Sequence, residues 1–220
     1  MRVLITSGAT REPIDGVRCI TNFSTGKTGA KLAERFAAEG WEVWYLHGAQ
    51  AAEPAYAARS IGFSDFRDLD RKLRALLKER RFDAVIHAAA VADYSVEWVR
   101  AGSRKFLPGR TAKLDSKHPV TLRLKRNFKI LDRLSRYARN PRMKIVAFKL
   151  TNRAGERRRL QAVRRLLGPG KADIVVHNDM AEFAGEEGRV FRIYEEGRKA
   201  ADCGSRARLA ARLLGRLRCS

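Results

Sequence analysis

The stretch RVLITSGATREPIDGVRCITNFSTGKTGAKLAERFAAEGWEVWYLH, residues 2–47, decides the fold. Arg2 to Thr6 is an apolar run of strand length, followed by a polar, glycine-containing loop. From Lys27 to Glu39 the apolar residues Ala30, Leu32, Ala33, Phe36 and Ala37 line one side of a helix, which Gly40 ends. Glu42 to His47 returns to strand. Two strands joined through a helix pair in parallel, and strands this apolar belong in a sheet covered on both faces.

The same alternation continues outward. Asp65 to Glu79 carries Leu69, Leu73, Leu76 and Leu77 on one helical face, and Ala84 to Ala90 reads as the third strand. Strands at Val120–Leu124, Ile145–Phe148, Asp173–His177 and Val190–Tyr194 follow, with helices at 127–137, 156–167 and 205–217 and a break at Gly168-Pro169-Gly170. This predicts an α/β fold: a Rossmann-like three-layer sandwich with a mostly parallel central sheet, one domain over residues 1–220. Tyr94 to Lys117 is polar, basic and weakly periodic, and is expected to be a long loop serving as a lid.

Composition narrows the function classes. The 220 residues hold 46 Lys and Arg against 24 Asp and Glu, a net charge of +22 that attracts polyanions and small phosphorylated molecules alike. No apolar stretch approaches the roughly 18–20 residues of a membrane span, and no signal-peptide core precedes Val3-Leu4-Ile5. Cys19, Cys203 and Cys219 match neither a disulfide framework nor a CxxC metal site. A cytoplasmic protein without a membrane partner or a metal site of its own is expected.

Ser24-Thr25-Gly26-Lys27-Thr28-Gly29 lies where loop becomes helix. Its backbone N–H groups, hydroxyls and helix-dipole end are arranged to hold phosphate, and Gly8 follows the first strand closely enough to join them. The segment is not a Walker loop, because Thr21 stands where that motif needs glycine. Ser7-Gly8-Ala9-Thr10-Arg11-Glu12 lacks the GxGxxG fingerprint, which disfavours NAD(P). His47, His87, His118 and His177 show no HExxH spacing, and no serine stands in a GxSxG elbow. Ala88-Ala89-Ala90-Val91-Ala92-Asp93 places small residues and one carboxylate at the C-terminal end of the third strand, where open α/β sheets bind ligands.

These motifs together resemble the phosphopantothenoylcysteine synthetase family. Ile5 to Asp15, ITSGATREPID, is similar to the family's ITSGGTREPID. Val17-Arg18 with Ile20-Thr21-Asn22-Phe23-Ser24-Thr25-Gly26-Lys27 resembles its VR-(F/Y)-(I/L)-x-N-x-S-(S/T)-G-K stretch, and Ala89 to Tyr94 matches its AAVADY. Phe148-Lys149-Leu150 and Asp173 to Asp179 resemble its FKLET and DLIVAND segments.

The resemblance implies a ligase that joins 4′-phosphopantothenate to cysteine through an acyl-nucleotide made from CTP or ATP with Mg²⁺, acting as a homodimer and carrying no FMN. It implies Asn22 and Lys113 as catalytic residues, the first holding the acyl-nucleotide and the second neutralising the triphosphate. It further implies a nucleotide pocket of His87, Ala88, Ala89 and Asp93, with Phe128-Lys129-Ile130-Leu131 as a turn, Phe148 against the base, and Lys171. Asp115 and Ser116 stand where many members have lysines, Phe128 replaces a proline, and Thr151 takes the place of the FKLET glutamate. Two other readings remain at this point: a nucleic-acid-binding protein on the same fold, suggested by the +22 charge, and an NAD(P)-dependent oxidoreductase, suggested by the sheet alone.

Overall fold

Chain alternation produces a sheet whose strand order reverses beside the first strand. The computed structural model describes residues 1–55, 58–109, 113–115, 117–184 and 188–218. Its elements run β1 (Arg2–Ser7), β2 (Arg11–Pro13), β3 (Cys19–Thr21), α1 (Lys27–Ala38), β4 (Glu42–Gly48), β5 (Ala58–Phe63) and α2 (Phe66–Glu79). Then come β6 (Ala84–His87), β7 (Tyr94–Ala101), β8 (Arg104–Phe106), β9 (Val120–Arg126), α3 (Leu134–Tyr137), β10 (Lys144–Thr151) and α4 (Glu156–Arg164). The remainder is β11 (Ile174–Asp179), β12 (Phe183–Ala184), β13 (Gly188–Arg189), β14 (Phe191–Glu195), β15 (Arg198–Cys203) and α5 (Arg206–Arg218).

The central sheet has eight strands in the order β15-β14-β11-β10-β6-β1-β4-β5. The six from β11 to β5 are parallel, and β14 and β15 add antiparallel. From β1 the chain crosses to β4 and β5 on one side, then returns to β6 on the other, so the direction of winding reverses between β1 and β6. Helices α1 and α5 bury Leu32, Phe36, Leu209 and Leu213 against one face of the sheet, whereas α2, α3 and α4 bury Leu69, Leu73, Leu134 and Val163 against the other. This is the expected three-layer sandwich. Each such side chain removed from water contributes roughly 1.5–3 kcal/mol.

The expected lid is instead a second sheet. Strands β7, β8 and β9 form three antiparallel strands in the order β8-β7-β9. The register shifts between Val96 and Trp98, so Val96 and Val99 both reach the small cluster with Leu114. That bulge replaces period-two alternation with a three-residue step, which is why the segment reads as aperiodic. Strands β5 and β15, at the two edges of the main sheet, and the β2–β3 hairpin also escape the sequence reading; β5 and β15 show mostly exposed residues such as Arg59, Ser60, Arg198 and Lys199. The helix expected at 127–137 begins as a 3-10 turn at Ile130–Arg133, and α4 ends at Arg164 rather than at 167.

Candidate functional site

Loops from three parts of the chain meet above the C-terminal ends of β1 and β6. Beyond the strand ends, the Ala90 N–H donates to the Gly8 carbonyl at 2.7 Å and the Thr10 N–H to the Ala90 carbonyl at 3.3 Å. The Ala92 N–H donates to Thr10 Oγ1 at 3.0 Å, and the Thr21 hydroxyl to the Thr10 carbonyl at 2.8 Å. The Asn22 amide donates Nδ2–H to the Val91 carbonyl at 3.3 Å. Asn22 is otherwise exposed, so its Oδ1 and second N–H face solvent at the crevice rim.

One helix N-terminus points here without a capping side chain. Ser7 at the end of β1 donates its hydroxyl to the Gly26 carbonyl at 3.0 Å, which seats the start of α1 over the strand end. Gly26 is the N-cap of α1, with φ 71°. The N-terminus of α2 is closed by contrast: the Asp65 side chain accepts from the Asp68 N–H at 2.9 Å, and Glu12 Oε1 accepts from the Phe66 N–H at 2.9 Å. Ser24, Thr25, Gly26 and Lys27 therefore surround the helix end best suited to an anion.

His87 ends β6, and its ring is 8% exposed. Thr6 Oγ1 accepts the Ala89 N–H at 3.2 Å and lies 2.9 Å from His87 Nδ1. The hydroxyl and Nδ1 thus share one hydrogen bond at the end of β6. Burial pushes the His87 pKa down to about 4, so the ring is neutral at pH 7.

A stability prediction follows from that shift. Between pH 6.5 and about 4 the unfolded chain takes up a proton that folded His87 refuses, so stability is full above pH 6.5 and falls as pH drops. Complete protonation of the unfolded ring costs on the order of 3 kcal/mol by pH 4. Urea midpoints measured from pH 7 to 4 are expected to fall, with a shallower decline in His87→Gln; equal slopes would assign the decline to other groups.

Asp93 is exposed and ion-pairs with Lys129, while the Asn127 N–H holds the Asp93 carbonyl at 2.8 Å. Phe128 sits edge-on to Phe66 at 4.8 Å, with the Arg133 guanidinium 3.3 Å above its ring. Ala88 and Ala89, just past β6, and Phe148 in the neighbouring β10 are half-buried. Ile130 and Leu131, expected in the pocket, are 2% and 8% exposed and packed in the α2-side core, so their side chains hold the turn in place.

Lys171 does not reach the crevice. It precedes β11, at the N-terminal ends of the parallel strands and so opposite the crevice, and its amine donates to the Arg165 carbonyl at 3.0 Å. Lys113 is exposed beside buried Leu114, whose N–H donates to Asp15 Oδ2 at 3.0 Å. Its loop is thus tied to the turn of the β2–β3 hairpin and not directly to Asn22 or Asp93. Ser116 lies outside the described residues.

Several supporting residues were given no role from the sequence. Glu12 is 3% exposed and receives, besides Phe66, the Ser95 hydroxyl on Oε2 at 2.5 Å. Asn127 bridges Ser95 and the Ala92 carbonyl. Thr151, at the variant FKLET position, donates to buried Asp179 at 2.5 Å and lies 2.9 Å from His177 Nε2. Burial alone would raise the Asp179 pKa, but the Thr151 hydroxyl and the Ala154, Ala181 and Arg153 N–H groups outweigh it and hold the carboxyl far below the usual range. A polar residue inside a motif, carrying no assigned chemistry, was the available signal for Glu12.

Residues 1–219 match the model of the DNA/pantothenate metabolism flavoprotein C-terminal domain family. The coenzyme A biosynthesis bifunctional protein CoaBC of Thermococcus kodakarensis is 31% identical over 212 residues, covering 96% of this chain and 49% of that protein. The protein of the same name from Methanocaldococcus jannaschii is 32% identical over 181 residues, covering 82% of this chain and 41% of that one. The chain thus spans about half the length of the curated relatives it matches. Among solved structures, the DNA/pantothenate metabolism flavoprotein from Streptococcus pneumoniae superposes with a TM-score of 0.86 at 24% identity, covering 100% of this chain and 99% of that chain. A Cab2 H337A mutant in complex with phosphopantothenate-cysteine gives 0.75 at 18% identity, covering 99% and 87%. At these identities the structures speak to the fold.

Proposed function

The chain belongs to the DNA/pantothenate metabolism flavoprotein C-terminal domain family, and from that membership we propose that it joins 4′-phosphopantothenate to cysteine in coenzyme A biosynthesis. The observation that carries the proposal is the convergence of the family-like motifs on one crevice: Gly8 through its carbonyl and Asn22 through its side-chain amide are hydrogen-bonded to the loop from Ala88 to Asp93, beside the α1 N-terminus.

In the first step a carboxylate oxygen of the acid attacks the α-phosphorus of CTP or ATP. A P–O bond forms, and the bond to pyrophosphate breaks. In the second, the cysteine amine attacks the acyl carbon, a C–N bond forms, the nucleoside monophosphate leaves and the amine loses a proton. Charge accumulates at phosphorus, so donors and cations aimed there lower the barrier. Asn22 holds the acyl-nucleotide through its free donor and acceptor. Ser24, Thr25, Gly26 and Lys27 bind phosphate, Lys113 neutralises the triphosphate, and His87, Ala88, Ala89, Asp93 and Phe148 face the nucleotide.

Among the described residues, no group of three or more His, Cys, Asp and Glu could cage a metal. Mg²⁺ would pair with the phosphate oxygens and arrive with the nucleotide. Phe23 is 98% exposed before α1, and Val120 and Leu124 are exposed on β9, apolar surface of the kind a homodimer would cover. No helix among the described residues is long and apolar enough to cross a membrane. The missing glycine fingerprint leaves NAD(P) chemistry unsupported, and the net charge by itself supplies no groove for nucleic acid.

The test is pyrophosphate release from CTP and, separately, ATP with 4′-phosphopantothenate and Mg²⁺. Release that requires the acid, and phosphopantothenoylcysteine formed when cysteine is added, are the expected results. Folded protein that releases pyrophosphate with neither nucleotide would overturn the reading.

A further inference from the structure

We infer that Asp15 is a positioning residue that holds Lys113 in place through the backbone of Leu114. Its side chain has no exposed surface, and each carboxylate oxygen has a separate duty. Oδ1 accepts the Val17 and Arg18 N–H groups at 2.8 and 2.7 Å and so closes the β2–β3 turn. Oδ2 accepts the Leu114 N–H at 3.0 Å and the Arg18 guanidinium at 3.2 Å. The tether therefore joins residues 99 positions apart.

Further contacts make the tether selective for one loop position. The Leu114 side chain is 8% exposed in a cluster with Val96, Val99, Ile14, Ile20 and Leu122. Its carbonyl accepts from Arg18 at 3.4 Å. On the same approach, the Gly109 N–H donates to the Ile14 carbonyl at 3.3 Å. Leu114 is thus held by its N–H, its carbonyl and its side chain, all to the hairpin or the sheet behind it, while its neighbours Lys113 and Asp115 stay exposed. The Leu114 N–H is also the largest influence holding the Asp15 carboxyl below the usual carboxylate range.

The hairpin itself is rigidly mounted. Glu12 in β2 is fixed to the start of α2 and to β7, and Arg11 donates its N–H to the Ser64 carbonyl at 2.9 Å. At one end of this arm Asn22 touches Val91; at the other, Asp15 grips Leu114. Two ladder steps and the turn separate them, on the order of 10–15 Å. The arm fixes the spacing between the residue that holds the acyl-nucleotide and the lysine that meets the triphosphate, an assignment that rests on the ligase reading above.

Asp15→Asn separates the two duties. The amide oxygen replaces Oδ1 and keeps the turn, but the amide nitrogen then points donors at the Leu114 N–H and the Arg18 guanidinium. In steady-state pyrophosphate release with the full chain, kcat/KM for the nucleotide is expected to fall about tenfold. The KM for 4′-phosphopantothenate is expected to change by less than about twofold. Because Asp15 acts through Lys113, the double variant Asp15→Asn/Lys113→Ala is expected to be no slower than Lys113→Ala alone. Losses that multiply, or an Asp15→Asn enzyme with unchanged nucleotide kinetics, overturn the inference.

Hydrogen exchange on the wild-type chain reads the tether without turnover or a variant. The Leu114 amide is expected to exchange at least tenfold more slowly than those of Lys113 and Asp115, and equal exchange overturns the inference. A wild-type chain that releases no pyrophosphate removes the ligase reading, and the tether is then decided by exchange alone.

Discussion

Asn22→Ala is expected to lower kcat/KM for ligation by roughly 10²–10³, the range found when one preorganised donor to a developing charge is removed. The fold gives little reason for any accompanying loss of stability. Asn22 is exposed, and its side chain makes one hydrogen bond, a 3.3 Å contact to the Val91 carbonyl at the protein surface. A bond of that kind contributes at most about 1 kcal/mol. The variant should therefore melt within a few degrees of wild type while losing the acyl-nucleotide. Trapping the intermediate in the absence of cysteine gives the sharper measurement. Wild type should accumulate bound acyl-nucleotide and release pyrophosphate in a burst, and Asn22→Ala should show no burst. A variant with a normal burst but slow amide formation would move Asn22 to the second step, and near-normal rates in both would remove it from the mechanism.

The parallel core of the fold was legible because its strands are apolar throughout. Val3, Leu4 and Ile5 in β1 and Val175 and Val176 in β11 are all fully buried, so their residues carry a signal that no neighbouring loop imitates. The same physics hid the edges. Arg59 and Ser60 in β5 and Arg198 and Lys199 in β15 are exposed, and backbone pairing, which leaves no mark on side-chain type, is what makes these segments strands. Tyr94 to Phe106 was hidden differently, by the bulge at Val96 and Trp98 that broke the alternation.

The candidate site was legible where the chemistry belongs to side chains and obscure where it belongs to the backbone. Asn22, Asp93 and the helix-start glycine could be named from motifs. The hydrogen bonds that assemble the crevice, Ala90 to Gly8 and Thr10 to Ala90, are made by main-chain groups that every residue carries. Glu12 and Asp15 fall between the two cases. Their type was visible in ITSGATREPID, but their partners Ser95 and Leu114 lie 83 and 99 positions away, and only the folded chain pairs them. Lys171 shows the converse case: the local motif suggested a role, and the direction of β11 leaves the residue at the N-terminal ends of the strands, away from the crevice.

Gly26→Ala is expected to be strongly destabilising in the phosphate-binding segment, and two other glycines separate its causes. At Gly62 an added Cβ meets nothing within 4 Å and the backbone is not left-handed, so alanine there should cost no stability. At Gly40 space is equally open but φ is +78°, which charges only the left-handed penalty of about 1–2 kcal/mol. At Gly26 φ is +71° and the new Cβ would lie 2.6 Å from Ala51 Cβ, 2.9 Å from Ala51 Cα and 2.9 Å from the Ala52 nitrogen. Two of those three atoms are backbone, and the Ala52 N–H is itself bonded to the Thr25 carbonyl at 2.9 Å, so neither side can yield cheaply. Overpacking adds about 1–3 kcal/mol to the backbone strain. At roughly 2–4 °C per kcal/mol for a chain of this size, Gly26→Ala should melt about 4–20 °C below wild type and Gly40→Ala about 2–8 °C below it. Relief of the clash requires the start of α1 to move away from Ala51, which also moves the N–H groups that face the phosphate. Nucleotide affinity, measured by calorimetry well below the melting temperature, should therefore fall for Gly26→Ala and stay unchanged for Gly40→Ala. If both variants bind nucleotide as wild type does, the α1 N-terminus is not where the phosphates sit.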